Sequence, residues 1–459
     1  MTNEPNTPSP SVAAIILAAG EGSRMKSSLP KPLHKVAGRS LLAHSLASAA
    51  TVGAEKAVVV IGHGAEQVGK EAEQNHPDAV MALQAERLGT GHAVQAAQDA
   101  LKDFQGDAFV LYADTPFIRA ETLSAMLAER RKGAAVVALG FRAAEPGGYG
   151  RMIGTDGALD RIVEAKDATA EELAVTLCNS GVICADAQLL FDLLDNVTND
   201  NANGEYYLTD IVGLARARNL ACAVVECPES ETMGVNSRLD LANAEAVFQD
   251  NARKQAMING VTMTDPSTVW FSYDTTIGRD VTIEPNVFFA PGVKIAEGAT
   301  IHANCHLEKC EVAENALIGP FARLRPGSSM GPGSKVGNFV ELKNATLAEG
   351  AKVNHLAYVG DAEIGAKANI GAGVITCNYD GVAKHKTVVG KDAFIGTNSS
   401  LVAPVTVGDG AYVASGSVIT RNVAPDALAI ARPAQIEKPN FVQRFRAKLL
   451  AIKARKTTG

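Results

Sequence analysis

The chain has 459 residues, 46% hydrophobic and 20% charged, with 42 glycines, 5% aromatics and a net charge of −7. That length exceeds one ordinary core and implies two or three domains, and the apolar and charged fractions exclude wholesale disorder. Six basic residues and no acid lie from Phe441 onward, leaving −13 on the rest, so bulk nucleic-acid binding has no support.

Residues 1–11 are Pro, Asn, Ser and Thr around one Glu; they read as a disordered tail and lack the basic segment of a signal peptide. The apolar run Val12–Ala19 is far too short to span a bilayer. From 12 to 238, β-rich runs such as VAAIIL (12–17), KAVVVIG (56–62), DAFVLYAD (107–114) and AAVVALGF (134–141) alternate with amphipathic stretches such as Ser40–Val52 and Ala120–Lys132. This predicts βαβ units on a mostly parallel sheet, with ligands at the carboxyl ends of its strands. Ser237–Gly260 reads as one helix, capped by Ser237-x-x-Asp240 and stopped by Asn259-Gly260, so residues 239–262 are a connector.

Over 263–440 a six-residue repeat takes over. Aliphatic residues recur at Ile277, Ile283, Phe289, Ile295, Ile301 and Leu307, then, after a five-residue step, at Val312, Ile318, Leu324, Met330, Val336 and Leu342. Slips precede Leu347 and Ile364, and Val389, Ile395, Leu401, Val407, Val413 and Ile419 restore the phase. Period six fits a β-solenoid whose short strands each send one aliphatic side chain into a narrow interior. Residues 441–459 form a basic helix or tail; it is able to touch nucleic acid or membrane, and a solvated helix face is the plainer reading. Seven cysteines without a C-x-x-C pair suit buried thiols in a reduced, cytoplasmic protein.

The first strand runs into Leu17-Ala18-Ala19-Gly20-Glu21-Gly22-Ser23-Arg24-Met25. Two glycines let backbone N–H groups approach a phosphate chain and Arg24 adds charge, while Met25 stands where a dinucleotide fingerprint needs its third glycine. With Leu29-Pro30-Lys31-Pro32-Leu33 behind it, the segment resembles the sugar-1-phosphate nucleotidyltransferases. The pattern continues in Gln84-Ala-Glu-Arg-Leu-Gly89-Thr90, Tyr112-Ala113-Asp114, Tyr149-Gly150-Arg151, Ile162-Val-Glu164, Asn179-Ser180-Gly181 and Gly234-Val-Asn236-Ser237-Arg238. Ala113, Ser180 and Ser237 depart from the family's commoner Gly, Thr and Asn without removing a charge. The resemblance implies that Asp114 and Asn236 hold Mg2+, and that Leu17, Ala18, Ala19, Gly20, Arg24, Lys31 and Tyr112 line the nucleotide site. It implies further that Gln84, Gly89 and Thr90 bind uridine and that Gly150, Glu164 and Asn179 hold an acetylated sugar phosphate. In-line attack by an ionised phosphate needs cations and positioning more than a protein base.

A solenoid alone can be an oligomerisation stalk, so chemistry there needs its own residues. Polar side chains interrupt the repeat at Arg325, Glu341, Lys343, Asn354, His355 and Tyr358, then at Asn369, Asn378, Tyr379 and Lys384. The period breaks between Val374 and Val389, where a loop is extruded. Acetyl transfer to an amine needs a proton acceptor, and a His with an ordinary pKa of about 6.5 suits it. Of nine His, His355 lies in this cluster and the others read as packing or surface residues.

Hexapeptide-repeat transferases form left-handed parallel β-helices, usually trimeric; the resemblance gives the hand, against the ordinary crossover rule. Over nearly the whole chain the pattern resembles the bifunctional family that makes UDP-N-acetylglucosamine, a precursor of peptidoglycan and lipopolysaccharide. Members acetylate glucosamine 1-phosphate with acetyl-CoA, then join N-acetylglucosamine 1-phosphate to UMP from UTP, releasing pyrophosphate. By this resemblance His355 is the base, and Arg325, Glu341, Lys343, Tyr358, Asn369 and Lys384 bind glucosamine 1-phosphate, Glu341 orienting the imidazole or the amine. Ala372, Asn378, Tyr379, Thr397, Ser415 and Arg432 line the acetyl-CoA groove. The expected partners are these small molecules and copies of the chain in a homotrimer, with no nucleic acid and no membrane. A stalk-only solenoid and an inactive nucleotide-sugar sensor are the competing readings, opposed by the His355 cluster and by Asp114, Asn236 and Lys31.

Overall fold

The computed structural model describes residues 11–155 and 158–457. The tail expected over 1–11 lies outside them except for Ser11, which opens the first strand. The chain divides into two compact units: residues up to Gln255 with Phe271–Tyr273, and Ala256–Trp270 with residues from Asp274 onward.

The first unit is built on β1 (Ser11–Leu17), β2 (Ala54–Ile61), β3 (Val80–Leu83), β4 (Gly106–Tyr112), β5 (Val136–Arg142), β6 (Arg151–Thr155), β7 (Ala158–Val163), β8 (Leu177–Asp186) and β9 (Cys222–Cys227). They form one sheet of order β3-β2-β1-β4-β8-β5-β9-β7-β6. β1 to β4 pair in parallel, as do β5 and β9, but β8 runs antiparallel between β4 and β5. The sheet is therefore mostly parallel, with β8 and the hairpin strand β7 running against the other seven. After β5 the chain makes the antiparallel hairpin β6–β7 and returns between β4 and β5 in the opposite sense.

Successive β1 residues serve opposite faces, as the strand period requires. Ala13 and Ile15 pack with Val58, Val60 and Val110, while Ala14 and Ile16 pack with Val59, Phe109 and Leu111. Helices α1 (Leu41–Thr51), α2 (Ala65–Asn75) and α3 (Ala120–Arg131) supply Leu42, Val68 and Leu123 to the second face. Helices α4 (Ala187–Leu194) and α5 (Asp210–Ala217) supply Leu190 and Ile211 to the first. Both faces are thus covered, which is why the strands read as continuous apolar runs.

Helix α6 spans Arg238–Ile258. Ser237 Oγ accepts from Asp240 N at 3.2 Å and Asp240 Oδ2 accepts from Ser237 N at 2.8 Å, the reciprocal cap that the Ser-x-x-Asp pattern predicts. Inside α6, Gln249 is 1% exposed, and its amide exchanges bonds of 2.8 and 2.7 Å with the backbone of Phe271. The Arg39 guanidinium lies 4.6 Å over the Tyr273 ring. These contacts explain why three residues beyond the helix belong to the first unit.

The second unit is a left-handed parallel β-helix. Ile283, Ile301, Ile318, Val336, Val353, Ile370, Ile395 and Val413 stand in register one above the next. Each is at most 2% exposed. A step is 18 residues, three hexads, or 17 where the sequence slips. From Ile370 to Ile395 it is 25, and the surplus is the loop between strands Ile375–Cys377 and Thr387–Val389.

The corners of the coils adopt left-handed backbone, one of them at Asn286, Asn304, Phe321, Phe339, Leu356 and Asn398, with φ between +53° and +63°. Large side chains there cost about 1–2 kcal/mol each. Phe321 and Phe339 nevertheless stack at 5.1 Å, and Phe321, Phe339 and Leu356 are 49%, 55% and 62% exposed. Helix α7 (Phe441–Thr457) ends the chain with every described side chain exposed. Among the described residues no helix is long and apolar enough to cross a membrane.

Candidate active sites

Leu17 of β1 stands opposite Tyr112 of β4, so the carboxyl ends of these strands open side by side. They bound a cleft of about 270 Å³. Leu17, Ala18, Ala19, Gly20, Lys31, Gln84, Gly89, Thr90, Tyr112 and Asp114, residues expected from four separate motifs, line it. Arg24 does not: it is exposed on the short 3-10 turn Ser23–Met25, whose apolar anchor is the buried Met25. Arg87 lines the cleft instead, its guanidinium 2.7 Å from Glu21, and Glu205 joins it. Arg87 lies within the Gln84–Thr90 motif, so the signal for it was present; Glu205 carried none of its own beyond its place in Gly204-Glu-Tyr-Tyr.

At the floor, the Lys31 ammonium is ion-paired with the Asp114 carboxylate and lies 3.1 Å from Asn236 Oδ1. The two ion-paired side chains are 14% and 20% exposed. Val235 N donates to Asp114 O at 2.9 Å, and Asn236 N to Asp240 Oδ2 at 3.0 Å, so the start of α6 sets the position of Asn236. Gly22 has φ +63°, and a Cβ there would sit 2.6 Å from Lys31 Cβ, so the lysine stem lies against the glycine loop. One carboxylate and one amide oxygen around an existing ammonium suit a hard divalent cation completed by phosphate and water. Among the described residues no group of three or more His, Cys, Asp or Glu is placed to hold a metal alone.

Gly89 has φ +113°, and a Cβ there would meet Tyr206 O at 2.6 Å. Gln84 Nε2 donates to Gly89 O at 3.4 Å, and Thr90 Oγ1 accepts from Leu208 N at 3.1 Å. Beyond the lining of that cleft, Asn179 N donates to Gly150 O at 2.9 Å and Thr209 Oγ1 to Glu164 Oε1 at 3.1 Å. Burial pushes the Glu164 carboxyl up from its ordinary range. Burial, then the charges of Glu164 and Asp167, pushes Asp210 up to about 6. The Tyr112 phenol is pushed up by burial and then by Asp114 and Glu164, so it lies within reach of both carboxylates' charge.

On the solenoid, Glu341 Oε1 accepts from Arg325 Nη1 at 2.7 Å. The Lys384 ammonium is pushed down by its contact with Lys343, so the extruded loop returns beside the strand Glu341–Leu347. Asp361, which bonds Asn344 and Asn378, sits near both lysines and is held below its usual range. Two lysines held this close favour an anion. His355 Nδ1 lies 2.6 Å from Asn338 Oδ1, directly opposite in register, while Glu341, expected to orient the imidazole or the amine, pairs with Arg325. Sequence reasoning missed Asn338, which resembles any other polar turn residue. Asn378 is buried, whereas Tyr379, Lys384, Thr397, Ser415 and Arg432 are exposed and Asn369 and Ala372 half-buried.

A phosphate loop at the switch of an α/β sheet, followed by hexapeptide coils carrying a lysine pair and an exposed His, defines a two-headed transferase. Residues 14–179 match the MobA-like NTP transferase domain, and 274–309 and 386–421 match the bacterial transferase hexapeptide repeats. Three curated relatives, each called bifunctional protein GlmU, align along nearly the whole chain. That of Ruegeria sp. strain TM1040 is 55% identical over 98% of this chain and 100% of its own. That of Dinoroseobacter shibae is 57% identical over 97% and 99%, and that of Jannaschia sp. strain CCS1 53% identical over 98% and 99%. The chain belongs to the GlmU family. It is a bifunctional enzyme of UDP-N-acetylglucosamine synthesis, a glucosamine-1-phosphate acetyltransferase and an N-acetylglucosamine-1-phosphate uridylyltransferase. The family depends on a divalent metal and uses nucleotide, sugar-phosphate and acetyl-CoA substrates.

Proposed function

We propose that residues 12–238 carry uridylyl transfer, residues 263–440 acetyl transfer, 239–262 the connection and 441–459 a solvated basic tail. In the first site Asp114 and Asn236 hold the metal, which we take to be Mg2+. The metal, when bound, neutralises charge on the phosphates during attack at the α-phosphate of UTP. Backbone N–H groups of the Gly20–Gly22 loop receive the phosphates, and Gln84, Gly89 and Thr90 hold the uracil. Glu164, Asn179 and Gly150 fix the acetylated sugar so that its ionised phosphate lies in line. The observation that carries this reading is the meeting of Asp114, Asn236 and Lys31 beside the glycine loop.

In the second site His355 Nε2 takes the proton of the glucosamine amine as it attacks the acetyl carbonyl. Arg325, Lys343 and Lys384 meet the sugar phosphate, with Tyr358 and Asn369 at the hydroxyls and Glu341 holding Arg325 in place. Ala372, Asn378, Tyr379, Thr397, Ser415 and Arg432 line the groove for acetyl-CoA. The flat, partly apolar faces of one coil stack favour a closed homotrimer. Seven free thiols and the metabolite substrates favour the cytoplasm. Separate assays of the half-reactions on Asp114→Asn test the two-site division. Uridylyl transfer should nearly vanish and acetyl transfer persist; loss of both in a folded variant would overturn it.

A further inference from the structure

A cation already occupies the place where the proposed metal ligands meet. The Lys31 ammonium is paired with Asp114 and 3.1 Å from Asn236 Oδ1, in a floor where the ion-paired side chains are 14% and 20% exposed. A divalent ion needs the same oxygen lone pairs. At about 4 Å an ammonium and a divalent ion repel by about 2 kcal/mol even in water, and by more in a cleft. The two therefore compete for these oxygens.

Lys31 also has somewhere else to go. Its backbone is fixed by Pro30 and Pro32 in a single 3-10 turn, Lys31–Leu33, and its stem lies against Gly22, on the loop that faces the phosphates. Rotation of the side chain alone can carry the ammonium from Asp114 toward that loop.

We propose that Lys31 is the resident counter-ion of the uridylyl-transfer site. It neutralises Asp114 while the site lacks nucleotide and yields that place to the divalent ion when the metal–nucleotide pair binds. The ammonium then turns to the nucleotide phosphates, so one side chain serves two partners in succession. Metal and nucleotide binding are thereby coupled: the metal alone must displace Lys31 without compensation, whereas the nucleotide supplies the ammonium with a new anion. This rests on Asp114 and Asn236 being the metal ligands.

Mn2+ binding to the full-length protein, followed by electron paramagnetic resonance with and without a non-hydrolysable UTP analogue, tests it. Without nucleotide, Lys31→Gln should bind Mn2+ about tenfold tighter than the wild type, because the competing charge is gone. With the analogue the variant should gain far less Mn2+ affinity than the wild type does. Mn2+ alone should raise the melting temperature of Lys31→Gln more than that of the wild type, a readout independent of turnover. Lys31→Arg keeps a competing charge and should stay as weak as the wild type without nucleotide. Unchanged or weaker nucleotide-free binding in folded Lys31→Gln overturns the exchange. Asp114→Asn separates the two ideas: if it retains Mn2+, the ligand assignment itself fails.

Discussion

His355 Nδ1 and Asn338 Oδ1 lie 2.6 Å apart, on neighbouring coils and opposite each other in register. An amide oxygen only accepts, so Nδ1 carries the hydrogen and Nε2 keeps its lone pair. With His355 as the proposed base, Asn338 is a positioning residue that fixes the tautomer such a base needs. Asn338→Ala should lower acetyl-transfer kcat by about tenfold, part of what a general base contributes, with KM for glucosamine 1-phosphate little changed. Asn338→Asp puts a carboxylate beside the ring, stabilises imidazolium and should move the acidic limb of the pH profile upward. Wild-type kcat and profile in both variants would remove Asn338 from the account.

Removing the imidazole itself should be more severe. His355→Ala should lose acetyl transfer by about 10²-fold or more, together with the acidic limb of its pH profile. Uridylyl transfer should be unchanged. Retention of acetyl transfer would leave His355 as a surface residue.

Gly89 combines φ +113° with a Cβ position 2.6 Å from Tyr206 O. Gly89→Ala must shift either the uridine-side turn or the Glu205–Leu208 segment, at about 1–3 kcal/mol of backbone strain. Uridylyl transfer should fall with a raised KM for UTP, while acetyl transfer is spared. An unchanged KM would mean that the uracil-side contacts do not depend on this turn.

Asp210 gives a pH test with a definite sign. Its folded pKa of about 6 lies above its ordinary 3.8, so the folded chain binds more protons than the unfolded chain between those values. The stabilisation is complete below the unfolded pKa and is lost as pH rises through about 6. Asp210→Asn should flatten that segment of the stability curve and be more stable than the wild type at pH 7 to 8. Urea denaturation of the first unit's transition across pH 4 to 8 measures it; parallel curves would show that Asp210 is not perturbed.

The end of the first unit is testable by truncation. A chain ending at Gly260 loses Phe271, whose backbone satisfies both ends of the buried Gln249 amide. The amide nitrogen keeps Glu245 Oε1, at 2.8 Å, but the amide oxygen loses its donor, and a buried acceptor left unsatisfied costs about 1–3 kcal/mol. That truncation should be monomeric, inactive in acetyl transfer and competent in uridylyl transfer, but less stable than one ending after Tyr273. Equal melting temperatures would make the Phe271 contact dispensable, and trimerisation of either would refute the assembly proposed above.

What was legible in the sequence follows from what each signal encodes. The hexads report burial, and Ile283, Ile301 and Ile318 form the expected buried column because an inward side chain must be aliphatic. Motif residues such as Gln84, Thr90 and Asp114 converge on one cleft because each motif sits at a strand end. Strand direction is not encoded in that way: the run Leu177–Asp186 is apolar whichever way it points, so its antiparallel insertion stayed hidden. The exposed position of Arg24 off the cleft lining was not legible, because charge beside a glycine loop does not say which way the side chain leaves. Asn338 and the return of Phe271–Tyr273 depend on contacts 17 and 22 residues apart, which local pattern does not carry.

The left-handed corner makes the coils unequal. Asn286, Asn304 and Asn398 fill it with a residue that tolerates the backbone, whereas Phe321, Phe339 and Leu356 hold it against strain on three consecutive coils. The coils before that run carry none of the proposed site residues, and an 18-residue spacer added near Asn304 should lengthen the rod while leaving its chemistry intact. The same spacer placed between Asn338 and His355 would part the pair, so the length of the rod is free only outside the coils that carry the cluster.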